Sequence, residues 1–139
     1  MIDQAIRARL VAVSAVTDLV GGTTSPRIYP LQMPQTPTFP CITYQLISGQ
    51  PLYSLSAVSG SAQVRIQIDC WAQNTQSTDG YAAARALAEA VRGALSAYVG
   101  TVGGEAIQEL TLENRQVLHD GDAGVFRESL DWLVSYAES

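Results

Sequence analysis

The chain contains no lysine, and only 15% of its 139 residues are charged, against a usual share of about 25%. Eight arginines stand against thirteen acids, a net charge of -5. The imbalance is one-sided. Residues 1–70 carry four arginines and three acids, a charge of +1; residues 71–139 carry four arginines and ten acids, a charge of -6. An acidic chain without lysine lacks the basic footprint of a nucleic-acid binder. The same numbers suit a surface past which DNA slides without sticking. A surface so poor in charge also permits large protein contacts.

Other scarcities narrow the chemistry. His119 is the only histidine, with no serine or cysteine in an activating context beside it, so a nucleophile–base triad is unsupported. Cys41 and Cys70 are the only cysteines. They lie far apart, each within an apolar strand pattern, and are expected to be reduced, buried thiols rather than half of a zinc site. Asp120-Gly121-Asp122 begins like a calcium loop but lacks the remaining oxygen ligands and the closing glutamate, so it reads as a turn. Gly100 to Gly104 is followed by no GK[ST] and cradles no phosphate. Glu105, Glu109 and Glu113 recur at even spacings, and on a strand they would form an acidic stripe. No stretch approaches the ~18 apolar residues of a membrane span. No basic segment leads into a long apolar run. A soluble chain of intracellular origin, neither enzyme nor cofactor carrier, is expected.

The clearest pattern is Ala62-Gln63-Val64-Arg65-Ile66-Gln67-Ile68-Asp69-Cys70-Trp71-Ala72. Val64, Ile66, Ile68 and Cys70 alternate with Gln63, Arg65, Gln67, Asp69 and Trp71, which predicts a strand with one covered face. A slip of one residue would drive Arg65 and Asp69 into the core, so its register is firmly set. Before it, Ile2, Ile6, Leu10, Val13 and Val16/Thr17 form one stripe of a helix over 2–19, ended by Gly21-Gly22. Residues 23–40 hold five of the six prolines and read as a loop or arm, with a short edge strand at Arg27-Ile28-Tyr29. Residues 41–49 form a second strand, with Ile42, Tyr44 and Leu46 on one face. Residues 52–60, small and uncharged, suit a hairpin connection to 62–72.

After it, Ala84, Leu87, Ala88, Val91, Leu95 and Tyr98 form the stripe of a helix over 78–98, capped by Ser77 or Thr78. Residues 105–118 and 125–136 form a closing hairpin, with a change of phase near Asn114 that suggests a bulge. Glu128 falls on the apolar phase, near the strand end and within reach of solvent. The sum is one α+β domain: a four-stranded, mainly antiparallel sheet with two helices packed on one face, a long Pro-rich loop and an extended hairpin.

Three stretches taken together carry a resemblance. They are Arg27-Ile28-Tyr29-Pro30 with Pro34 and Pro40-Cys41-Ile42-Thr43-Tyr44; Val64 to Ala72; and Ala86-Leu87-Ala88-Glu89-Ala90-Val91-Arg92-Gly93-Ala94-Leu95. Their order and spacing resemble the tail completion, or tail terminator, proteins of long-tailed bacteriophages, prophages and gene transfer agents. The resemblance implies a virion subunit that assembles as a ring, usually a hexamer, on the tail tube protein. The ring stops tube polymerisation, meets the head–tail connector protein and lets DNA pass through its lumen. It implies no catalysis and no cofactor. In such a ring, Arg27 and Tyr29 of the arm and Leu52, Tyr53, Leu55 and Val58 of the hairpin are the expected subunit contacts. Other neck, head-completion or tail tube proteins use subunits of similar size. A small-ligand-binding domain is the rival from a different class.

Overall fold

The computed structural model describes residues 1–53, 58–121 and 123–137, with 48–53 and 58–60 described by backbone alone. Helices α1 (Ile2–Val11), α2 (Ser14–Thr17) and α3 (Gly80–Leu95) accompany strands β1 (Ile28–Pro30), β2 (Cys41–Tyr53), β3 (Val58–Gln73), β4 (Gly100–Val102), β5 (Glu105–Asp120) and β6 (Val125–Ala137). The strands form one curled sheet in the order β1-β2-β3-β6-β5-β4. β1 runs parallel to β2, and every other pair is antiparallel.

The expected four-stranded sheet is thus corrected to a six-stranded mixed one, and the two helices to three. Each added element has a local cause. β1 is held by main-chain bonds from Ile42 N–H to Arg27 O (2.9 Å) and from Leu31 N–H to Tyr44 O (2.9 Å). β4 folds back on β5 through Gly103-Gly104, whose φ angles of +58° and +81° suit a two-residue hairpin. The stretch 2–19 breaks where Val13 turns extended (φ -107°, ψ 115°). Val11, Val13, Val16 and Thr17 are β-branched and weak helix formers, so the interruption is cheap. It still buries Val16 and Val20 completely.

β3 behaves as its alternation requires. Val64, Ile66, Ile68 and Cys70 are buried, and they meet Leu130, Trp132 and Val134 of β6 and Leu87, Val91 and Leu95 of α3 in one core. All three helices contribute to this core, on the same face of the sheet. Each fully buried Leu or Ile there contributes about 1.5–3 kcal/mol. α3 starts at Asp79, whose carboxylate accepts from Ala82 N–H (3.2 Å). Gly80 follows because a Cβ there would lie 2.7 Å from Asn74 N.

Candidate assembly surface

Residues 23–40 wrap the β1 edge and are tied to their own chain. Arg27 donates from Nε to Pro40 O (2.9 Å), and Arg7 Nε reaches Ile28 O (3.3 Å). Ile28 is buried at 2% exposure, whereas Leu31 is 70% exposed. Of the expected contact residues, Arg27 and Tyr29 therefore sit half-buried at the foot of the arm. Leu52, Tyr53 and Val58 lie in the last rungs of the β2–β3 hairpin, with Leu52 opposite Ser61 and Tyr53 opposite Val58. Their side chains, and Leu55 altogether, fall outside the described residues. β3 pairs with β6 only from Ser61, opposite Ala137, to Gln73. Among the described residues, Leu52–Ser61 is still flanked by Ala137, and Tyr53–Val58 is the one rung past the end of β6.

The sheet face away from the helices is largely polar and net acidic, with Arg65 and Arg127 against Asp69, Glu109, Asp120 and Asp131. Gln67 donates to Asp69 (3.1 and 3.2 Å), and Trp71 Nε1 donates to Thr43 Oγ1 (2.9 Å). Arg127 lies 5.0 Å over the Trp71 ring and 3.5 Å from Asp69 Oδ2. Arg65, Ser129, Asp131 and Ser135 share this face by register. The acidic stripe does not form. Register shifts at Gln108 and Glu113 break the phase of β5, so that Glu109 stands opposite Ser135 on the helix-free face and Glu113 is a bulge residue.

That second bulge has another effect, which corrects the placement of Glu128. Beyond it Arg115 turns to the helix side, opposite Leu130. Glu128 is not at the solvent but 0% exposed. Arg115 donates to Glu128 Oε2 from Nε (3.0 Å) and from Nη2, and its Nη2 also reaches Glu89 Oε1 (3.1 Å). Arg85 Nε approaches Glu128 Oε1 to 2.6 Å, off the hydrogen-bond axis, so that it contributes charge rather than a directed bond. Glu89 also pairs with Arg92 at 3.0 Å. The Arg92 and Arg115 hydrogen bonds hold the Glu89 carboxyl below its ordinary pKa, and the Glu128 bond raises that of Arg115. This cluster joins α3, β5 and β6. The sequence signal for it was a carboxylate on an apolar phase, followed through to the arginines on the two neighbouring elements.

Reactive groups are quiet. Cys41 and Cys70 are free and buried. Burial pushes the Cys41 thiol up to about 11, with Arg27 pulling the other way, and raises Cys70 well above its usual value. His119 stacks on Phe126 at 4.2 Å. Among the described residues, no group of three or more His, Cys, Asp or Glu is placed to hold a metal ion. The described helices include none long and apolar enough to cross a membrane.

Comparison with known proteins follows the same lines. The family model described as "Tail completion protein gp17" matches residues 4–136. Among solved structures, a chain of the "Virion of native gene transfer agent (GTA) particle" is similar with a TM-score of 0.68. The match covers 96% of this chain and 92% of that chain at 20% identity, a likeness of fold. No curated protein matches the sequence.

Proposed function

The chain belongs to the tail completion protein family, a family of structural tail proteins, and on that premise we propose that its copies assemble as a ring of six subunits at the head-proximal end of a phage tail. The ring ends polymerisation of the tail tube and joins tail to head. Its partners are further copies of itself, the tail tube protein and the head–tail connector protein. It forms in the host cytoplasm and stays in the virion.

The end of the β2–β3 hairpin, where the Tyr53–Val58 rung has no third strand beside it among the described residues, carries this reading. A two-stranded ribbon is marginal in water without a third surface to cover it. Here the uncharged rungs Leu52–Ser61 and Tyr53–Val58, with Leu55 from the sequence between them, serve as one subunit contact, and the arm anchored at Arg27 and Tyr29 serves as another. The polar, net acidic sheet face suits a lumen through which DNA passes without being retained.

Deleting residues 52–59 tests this. Native mass and negative-stain images should show a folded subunit that forms no ring, alone or on tail tubes, and tubes of uncontrolled length. A ring that survives the deletion sinks the assignment of the ribbon.

A further inference from the structure

The two margins of the sheet are covered only at their ends. β1 pairs with Ile42, Thr43 and Tyr44 of β2, and β4 pairs with Glu105, Ala106 and Ile107 of β5. Among the described residues, β2 from 45 to 53 and β5 from 108 to 120 have no outer neighbour. Unpaired margins of this length are templates for another strand. Resting on the ring reading above, we propose that adjacent subunits join by strand pairing, the open margin of β5 in one copy against the open margin of β2 in the next.

Direction favours this pairing. β2, β3, β6 and β5 alternate in direction, so β2 and β5 run oppositely. A rotation about an axis along the strands preserves direction, and it sets the next copy's β2 antiparallel to β5. The new junction then has the same sense as its neighbours, and because two different margins meet, the contact repeats head to tail, as a cyclic ring requires.

Shape and charge commit the occupant to β2 of a second copy. A groove of about 530 Å³ lies along Gln108 to Leu112 of β5, walled by Ser96, Ala97 and Val99. Val99 is 67% exposed there, and on β2 Leu46 and Ile47 are 47% and 43% exposed. Apolar side chains thus stand unburied on both margins. Residues 45–53 of β2 carry no charge, whereas residues 108–120 of β5 carry Glu109, Glu113 and Asp120 against Arg115. Two β5 margins would set these glutamates against their own copies, which is unfavourable for facing strands. The Pro-rich arm is the poorer strand, because Pro30, Pro34, Pro37 and Pro40 all lack donors, whereas residues 45–53 of β2 lose only the donor of Pro51. The bulges at Ile47, Gln108 and Glu113 weaken any single junction. Free copies therefore stay apart until ring closure joins both margins of each.

Hydrogen exchange on wild-type rings, formed alone or on tail tubes, tests the proposal together with an Ile47→Glu variant. Amides of 108–118 and of 45–50 should both slow in the ring relative to the free subunit. Ile47→Glu should raise the subunit concentration for half-assembly about tenfold or more, and adding Glu109→Arg and Glu113→Arg should reverse most of that. Rings whose 108–118 amides exchange as in the free subunit overturn the proposal and leave the ring reading intact. So does protection of β2 alone, which marks a two-fold β2–β2 contact, or normal rings from Ile47→Glu. No ring on any template overturns both.

Discussion

Arg115→Met should destabilise the folded subunit by about 3 kcal/mol. The reasoning starts from Glu128, which is 0% exposed and whose Oε2 takes two Arg115 donors. Without Arg115, the carboxylate keeps only the off-axis approach of Arg85 and stays in the core without a directed partner. A buried charge stripped of a partner costs about 3–5 kcal/mol; the remaining Arg85 contact sets the value at the low end. For a chain of this size that is a fall in Tm of roughly 6–12 °C. Arg85→Met should cost only about 1 kcal/mol, because its contact is misaligned and its side chain is 40% exposed. Arg115→Met combined with Glu128→Leu should cost under about 1 kcal/mol, since an apolar residue of similar volume replaces the buried charge. Urea unfolding followed by tryptophan fluorescence measures all three. A loss below about 1 kcal/mol for Arg115→Met alone would refute the view that Glu128 depends on it.

Two further outcomes follow from local geometry. Gly103→Ala should cost about 2 kcal/mol or more, because φ is +58° and the new Cβ would lie 2.8 Å from Ala5 Cα. Gly104→Ala, at φ +81° with nothing within 4 Å, should cost visibly less in the same urea titration, and equal losses would remove the packing explanation. The thiols should make the fold sensitive to alkali: Cys41 holds its proton to about 11, while an unfolded thiol ionises near about 8.5. The unfolded chain thus releases protons first, and stability should be full below that lower value and fall as pH rises toward 11. Alkylation of the native protein at pH 8 should run about a hundredfold slower than in urea; equal rates would mean the thiols are accessible.

What the sequence made legible tracks the clarity of its periods. β3 and α3 each carry one uninterrupted apolar phase, and both lie where that phase puts them. The Asn114 phase change was visible, and the bulge falls beside it at Glu113. β4 escaped notice because Gly103-Gly104 serves equally as the stop of a helix and as a hairpin turn; Thr101-Val102 and Ala106-Ile107 on its flanks favoured the hairpin. For Glu128, nearness to a strand end suggests nearness to water, yet the side chain is buried. The strand end is roofed by α3, whose Arg85 reaches over it. The proposed contact surface is legible in the sequence only as composition, since which margins stay open depends on how far β1 and β4 extend along them.

The place of β6 in the sheet sets an order on biosynthesis. It follows the other five strands along the chain, yet it lies between β3 and β5. Its pairs with β3 span from Gln73–Val125 to Ser61–Ala137. The β2–β3 hairpin can form as soon as its residues leave the ribosome, but its inner neighbour begins only at Val125 and is incomplete until residue 137 emerges. Such a late, long-range closure is slow and leaves strand margins bare in the meantime. A nascent subunit therefore cannot present a finished sheet, and any tail it joins meets only chains whose translation has passed that residue.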